Sequence, residues 1–170
     1  MSLSMYDASV PVFARGLTNL AGILRKGAAH AQERKIDASA FLGARLYPDM
    51  LPLVRQVQIA TDHAKNASAR LANAERPAFD DAETTFEQLD ARIGRTLDYL
   101  GTLTPAQFDD SANRDIVLPL RGREVVLKGQ PYLFAFAQPN FYFHATAAYA
   151  ILRHGGVALG KSDFLGPLDA

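Results

Sequence analysis

Cysteine and tryptophan are both absent from the 170-residue sequence. Without cysteine there is no disulfide bond, no thiolate metal ligand and no cysteine nucleophile, and a cysteine-free chain fits a reducing compartment. Without tryptophan, the ten phenylalanines and six tyrosines are the large aromatic anchors available to a core.

An excess of charge of one sign is also missing. The 18 basic and 18 acidic residues give a formal net charge of zero. Because binding to nucleic-acid phosphates needs a concentrated basic patch, we expect no nucleic-acid partner. No apolar run approaches the roughly 18 residues of a membrane span, and the N-terminal segment lacks the basic and apolar regions of a signal peptide. We therefore expect a cytoplasmic protein without a membrane partner.

The sequence does have helical spacing of apolar residues over most of its length. The predicted long helices cover residues 6–32, 50–72, 84–101 and 130–154. In the second of these helices the predicted buried stripe consists of Leu53, Val57, Ala60, Ala64, Ala67 and Leu71. The length suits a single domain covering residues 1–170.

Capping residues and proline mark the helix ends. Asp49 is a good N-cap for the second helix, and Thr84 with Glu87 fits a capping box at the start of the third. Pro139 lies inside the fourth helix, where we expect it to kink or break the helix.

A hairpin is predicted between the third and fourth helices. Residues 116–120 and 124–127 are β-prone runs on either side of an Arg-Gly-Arg turn, and Pro119 restricts the first run to an edge. The pattern as a whole predicts an all-α four-helix bundle with a small β-hairpin inserted before the last helix.

Histidine and amide side chains are the candidates for a polar site. His144 follows Asn140 by four residues, so both lie on one face of the last helix. Asparagine is a poor ligand for zinc or nickel, which leaves two interpretations, a buried hydrogen-bonded pair or a functional pocket. On the second helix, either Gln56 or Gln58 could turn inward and bond to this pair. His63 lies near the edge of the buried stripe of the same helix.

The last helix is followed by GGVALGKS, which formally matches the phosphate-loop pattern Gly-x4-Gly-Lys-Ser. Such a loop must follow a strand and open a helix, whereas this one follows a helix. We therefore interpret Gly155-Gly156 as a helix C-cap and the remaining residues, up to 170, as an extension packed on the body.

Three segments carry a family resemblance: RLYPDMLPLVRQVQIATDHAK (45–65), PNFYFHATAAYAILRHGGV (139–157) and GKSDFLG (160–166). The chain resembles the DinB/YfiT-like superfamily of four-helix bundles, and more closely an uncharacterised bacterial branch of it. The resemblance implies an up-down-down-up bundle with a long crossover and, commonly, a homodimer.

The resemblance also implies a candidate divalent-metal site. Many members of the superfamily hold a metal with one histidine from helix two and an HxxxH pair from helix four. In this chain His144 falls at the second position of that pair and Asn140 at the first. The helix-two position falls at Gln56 or Gln58, with His63 further along. Of the three ligands that the resemblance implies, only His144 matches.

Three functions follow as hypotheses. The first is a helical-bundle protein whose metal site is degenerate and rebuilt as a polar cluster of amides and histidine, with no cofactor. The second is a divalent-metal-dependent enzyme of the thiol S-transferase or hydrolase type, using zinc or nickel held by His144 with His63 or a glutamine. The third is a small-ligand-binding module in which the aromatic residues between Tyr132 and Tyr149 line an apolar pocket.

Overall fold

The computed structural model describes residues 4–120 and 122–167. Its helices are α1 (Val10–Arg34), α2 (Ala38–Leu42), α3 (Leu53–Ala72), α4 (Phe86–Gly101), α5 (Gly129–Pro131), α6 (Gln138–His154) and α7 (Lys161–Leu165). Short 3-10 turns cover Pro105–Phe108 and Ser111–Asn113, and a π-helical segment covers Tyr132–Ala137. The predicted C-terminal extension is described up to residue 167, and residues 168–170 lie outside the described residues.

The four long helices pack as predicted. α3 packs on α4 and α6, and α1 packs on the same two helices from the other side. The predicted buried stripe of α3 is confirmed, because each of its members has no exposed surface: Leu53, Val57, Ala60, Ala64, Ala67 and Leu71. None of the helices in the described part of the chain is long and apolar enough to cross a membrane.

The start of α3 differs from the prediction. The N-cap is Pro52 rather than Asp49, because the segment before it is held in an irregular turn. The Arg45 guanidinium donates to the Met50 carbonyl at 2.7 Å, and the Leu53 N–H donates to the Ala44 carbonyl at 3.0 Å. The helix therefore begins three residues later than its sequence pattern suggests.

The N-cap of α4 is Thr85, one residue after the predicted Thr84. The Thr85 hydroxyl, rather than that of Thr84, accepts the N–H of Gln88 at 3.2 Å, and the Gln88 side-chain oxygen accepts the N–H of Thr84 at 2.6 Å. The first bond satisfies a donor that the first turn of a helix leaves unpaired, and the second holds the residue before the N-cap. The predicted capping box of Thr84 and Glu87 is therefore not formed.

The hairpin is confirmed as an antiparallel pair, β1 (Asp115–Leu120) and β2 (Arg123–Lys128). Its inner face buries Ile116 and Leu118, while Val117 is 49% exposed on the outer face. The strands therefore form a flap that covers one end of the bundle with alternate side chains.

Ahead of Pro139, where a kink or break was expected, the helix leading into α6 contains a π-helical segment. A proline inside an α-helix removes one N–H donor and its ring collides with the carbonyl four residues earlier, which here belongs to Ala135. Ala135 lies in the middle of Tyr132–Ala137, where the wider π-helical turn relieves that collision. Regular α-helix resumes at Gln138, so Pro139 stands in its first turn.

Candidate functional site

A line of polar and aromatic side chains runs along the contact between α3 and the last helix. On α3 its members recur every seven residues, and on the opposite side every four, which places each set on one helix face. We call this line the α3/α6 seam, and its members are Gln56, His63, Arg70, Tyr132, Phe136, Asn140 and His144.

His144 and Gln56 are bonded to each other across the seam. The His144 Nδ1 lies 2.7 Å from the Gln56 Oε1, and the Gln56 Nε2 donates to the Leu51 carbonyl at 3.1 Å. Because that carbonyl can only accept, the Gln56 oxygen faces the imidazole, and Nδ1 of His144 must carry the proton. The Nε2 of His144 is then left as an acceptor.

His63 lies beside this pair. The His63 and His144 rings are nearly parallel, at 13°, with their centroids 5.9 Å apart, and the ring of Phe136 meets His63 edge-on at 5.9 Å. Burial, together with the nearby His144, lowers the pKa of His63 to about 4. Burial also lowers the pKa of His144. Both imidazoles are therefore neutral at neutral pH.

The far end of the seam is closed by Arg70 and Tyr132. The Arg70 Nη1 donates to the Tyr132 hydroxyl at 3.3 Å, and Tyr132 is almost fully buried. Burial raises the pKa of the Tyr132 hydroxyl, which the positive charge of Arg70 partly offsets. This end of the seam therefore carries a neutral phenol beside a guanidinium.

Asn140 and Gln58 do not join His144. The Asn140 Nδ2 donates to the Phe136 carbonyl at 2.7 Å, so its side chain supports the junction between the π-helical segment and α6. Gln58 points to the other side of α3, where its Oε1 accepts from Arg55 at 2.7 Å and its Nε2 donates to Glu83 at 2.8 Å. Of the two glutamines considered from the sequence, only Gln56 faces the histidines.

The donor set of the seam is unlike a three-imidazole centre. Within residues 4–120 and 122–167, no three side chains of histidine, cysteine, aspartate or glutamate come close enough to hold a metal ion. The seam offers two imidazoles, while the amide oxygen of Gln56 is already bonded to His144. Zinc and nickel prefer imidazole, carboxylate or thiolate to amide oxygen. The residues present do not fit the three-histidine site that the family resemblance implies.

Sequence reasoning missed a second polar group on the opposite side of α3, which we call the Arg92 cluster. Arg92 has no exposed surface, and its guanidinium bonds to Thr61 at 2.7 Å, to Asp62 at 2.9 Å and to Glu83 at 3.1 Å. The cluster consists of Thr61, Asp62, Lys65, Asp80, Asp81, Glu83 and Arg92. A signal was present, because Arg92 lies three residues after the core residue Leu89, on the buried face of α4.

The Arg92 cluster fixes the loop between α3 and α4. Its acceptors include the Asp80 carbonyl and the Asp81 carboxylate of that loop. The ring of Phe79 lies against three cations, with Arg95 nearest, at 4.6 Å from the ring centroid. Every N–H of a buried guanidinium needs an acceptor, and this loop supplies most of them, so the arrangement is structural.

A cleft of about 360 Å³ lies between α1, α6 and α7. Its walls are mainly apolar and include Val12, Leu20, Ile23, Phe141, Tyr142 and Phe164. Gly16 also lines the cleft, and a Cβ there would lie 2.6 Å from the Phe141 ring. A side chain at this position would therefore displace the Phe141 ring. Of the aromatic residues from 132 to 149, Phe141 and Tyr142 line this cleft, while Tyr132 and Phe136 belong to the seam.

Side chains of α1 hold α7 over this cleft. The Asn19 Nδ2 donates to the Phe164 carbonyl at 3.0 Å, and Arg15 donates to the Leu165 carbonyl at 3.1 Å. Lys26 forms an ion pair with Asp163 at 2.6 Å. Helix α7 is thus part of the wall, held mainly by polar bonds.

Comparisons with known proteins identify the family of the chain and a similar solved structure. A family described as DUF1993, a domain of unknown function, matches residues 5–165. A crystal structure of a DinB family member protein from Shewanella denitrificans at 1.83 Å resolution is 42% identical, with a TM-score of 0.92, over 98% of this chain and 94% of that chain. No curated protein matches the chain. The similarity confirms the DinB-like four-helix bundle expected from the sequence.

Proposed function

Since the chain belongs to the DUF1993 family, whose function is unknown, we propose from the geometry that it is a small-ligand-binding bundle. Its ligand site is the cleft between α1, α6 and α7, and the α3/α6 seam is a degenerate metal site that now serves as a structural polar cluster. The observation that carries this proposal is the 360 Å³ cleft with mainly apolar walls, a volume within the range of small-molecule sites.

The seam supports the second half of the proposal. Gln56 has both ends of its amide engaged, one with His144 and one with the Leu51 carbonyl. The amide of Asn140 serves the Phe136 carbonyl of its own helix. Buried polar groups that satisfy one another fix the register of two helices without any catalytic role.

Fluorescence titration with N-phenyl-1-naphthylamine tests the ligand site. We expect saturable binding to the wild-type protein and its loss in Val12→Trp, because Val12 is a half-buried wall residue whose enlargement fills the cleft. Val54→Trp is the matched control, since Val54 is a half-buried valine on α3 outside the cleft walls. Equal binding by both variants would refute the cleft as the site.

Elemental analysis of untagged protein separates this proposal from the rival one, a zinc- or nickel-dependent enzyme of the thiol S-transferase or hydrolase type at His144. We expect no stoichiometric metal and no change in Tm on adding zinc or nickel. The double variant Gln56→His/Asn140→His adds two imidazoles to the seam and should gain zinc-dependent stabilisation. Stoichiometric zinc in the wild-type protein, lost in His144→Ala, would favour the enzyme instead.

We also propose a cytoplasmic homodimer. An apolar patch formed by Leu46, Met50, Phe143, Ala147 and Ala150 lies on the outer face of α6, and Phe143 is 58% exposed within it. Apolar patches of this kind favour protein contacts. Sedimentation equilibrium should show a dimer for the wild-type protein and for Phe134→Glu, an exposed phenylalanine outside the patch, and a monomer for Phe143→Glu. A wild-type monomer would contradict the proposal.

A further inference from the structure

The lining of the cleft includes a cation and a phenol hydroxyl. Arg15 and Tyr142 both line the cleft, one from α1 and the other from α6. Burial raises the pKa of the Tyr142 hydroxyl, and the charge of Arg15 acts against that rise. Tyr142 is 39% exposed, so its side chain is partly accessible.

The charge of Arg15 is fixed in place but not neutralised by the described residues. Its Nε and Nη2 donate to the carbonyls of Leu165 and Pro167 at 2.7–3.3 Å. Those acceptors are neutral, and no carboxylate of residues 4–120 or 122–167 lies within ion-pair distance of Arg15. Two other cations of α1 differ in this respect, since Arg25 is paired with Asp90 and Lys26 with Asp163.

The interior of the cleft favours an aromatic ring. Phe141 and Tyr142 lie on one side and Phe164 on another, and aromatic rings pack against one another with offset or edge-to-face geometry. A volume of about 360 Å³ has room for one or two rings, because a cavity of roughly 150 Å³ holds a benzene molecule.

We propose that the cleft binds a small aromatic carboxylate, with its ring between the rings of Tyr142 and Phe164 and its carboxylate at the Arg15 guanidinium and the Tyr142 hydroxyl. This inference rests on the ligand-binding function proposed above and adds the chemical class of the ligand. Hydrogen bonds to a charged acceptor are stronger than those to a neutral one. The carboxylate therefore contributes most of the binding affinity, and the ring places the ligand in the cleft.

Calorimetric titration with 2-naphthoate and with 2-naphthamide, its neutral counterpart, tests the ligand class. We expect 2-naphthoate to bind about tenfold more tightly than the amide, with an affinity that falls as salt concentration rises. Equal affinities, or tighter binding of the amide, overturn the inference. If N-phenyl-1-naphthylamine binds in the cleft and 2-naphthoate does not, the ligand-binding function stands and the carboxylate inference alone falls. If none of the three binds, both fall.

Two variants locate the carboxylate. Tyr142→Phe keeps the ring and removes the hydroxyl, so it should weaken 2-naphthoate about three- to tenfold and leave 2-naphthamide unchanged. Tyr149→Phe is the matched control, because the Tyr149 ring packs on Phe164 from outside the cleft walls and its change should affect neither ligand. Arg15→Gln should abolish the preference for the anion. Equal weakening of both ligands in Arg15→Gln would assign Arg15 only the role of holding α7 and overturn the inference.

Discussion

The two sides of α3 carry polar side chains of opposite character. On the side of α4, the Arg92 cluster is charged, and its central guanidinium is fully buried and surrounded by acceptors. On the side of α6, the two histidines of the seam are neutral and half-buried, and His144 keeps one ring nitrogen without a bond to Gln56. A buried charge persists only where it is paired and fully hydrogen-bonded. A neutral side chain loses less free energy when one of its hydrogen-bonding atoms lacks a partner. The Arg92 cluster therefore stabilises the fold, whereas the residues of the seam can be replaced without unfolding the bundle.

Removing the central charge of the Arg92 cluster should have the largest effect. Arg92→Met leaves the carboxylates of Asp62, Asp81 and Glu83 without their shared partner, and breaking a buried ion pair costs about 3–5 kcal/mol. Urea denaturation should report that loss. The matched control is Arg25→Met on the exposed Arg25–Asp90 pair, for which we expect at most about 1 kcal/mol. Similar losses in the two variants would erase the distinction between the two sides.

Acid should weaken the seam first. Unfolded His63 binds a proton below its ordinary pKa of 6.5, while the folded side chain stays neutral until about pH 4. The unfolded state thus binds more protons in this range, and the free energy of unfolding falls as the pH drops from 6.5 to about 4, by about 2–3 kcal/mol. In His63→Gln most of this slope should be lost. His30→Gln is the control and should keep it.

The Arg92 cluster should respond to acid at lower pH. Although burial raises the pKa of Glu83, hydrogen bonds from Gln58 and Arg92 hold it below its ordinary value of 4.5. Because the folded carboxylate keeps its charge where the unfolded one is protonated, this stabilisation is complete above pH 4.5 and is lost as the pH falls further. Denaturation curves for Glu83→Gln should show a weaker pH dependence below 4.5 and an unchanged one above it.

The smallest effect is expected at Gln56. Gln56→Leu leaves the His144 Nδ1–H and the Leu51 carbonyl without partners, which should cost about 1–2 kcal/mol. Gln56→Glu still accepts from Nδ1, so it should keep the His144 tautomer that Gln56→Leu loses. Nitrogen-15 chemical shifts of the His144 ring measure that tautomer. An unchanged tautomer in Gln56→Leu would show that Gln56 does not orient the imidazole.

The spacing of apolar residues and the turn residues predicted most of the helices and strands, because these elements depend on residues that are close in sequence. The buried stripe from Leu53 to Leu71 follows from helical periodicity alone, and the hairpin follows from two β-prone runs around a turn. Asp49 and Thr84 were assigned as caps from residue type, but the turn held by Arg45 and the adjacent Thr85 decided the real ends. Cap positions depend on contacts within a few residues that composition does not resolve.

The two polar regions were harder to predict because their partners are distant in sequence. Arg92 meets Asp62 from 30 residues away and Glu83 from nine, and charged side chains are expected on the surface. Gln56 and Gln58 lie about 200° apart around a helix, so only one of them can face α6, and residue type alone did not say which. Asn140 lay on the expected face, yet it bonds to its own backbone.

The π-helical segment Tyr132–Ala137 sets the rotation of the residues before it relative to those of α6. Each residue added to or removed from a helix rotates everything on one side of the change by about 100° relative to the other side. Deleting one residue from this segment could leave continuous helical hydrogen bonding, yet it would swing Tyr132 away from Arg70 while His144 stayed beside Gln56. The alignment of the two halves of the seam therefore depends on the number of residues in one turn as much as on which residues they are.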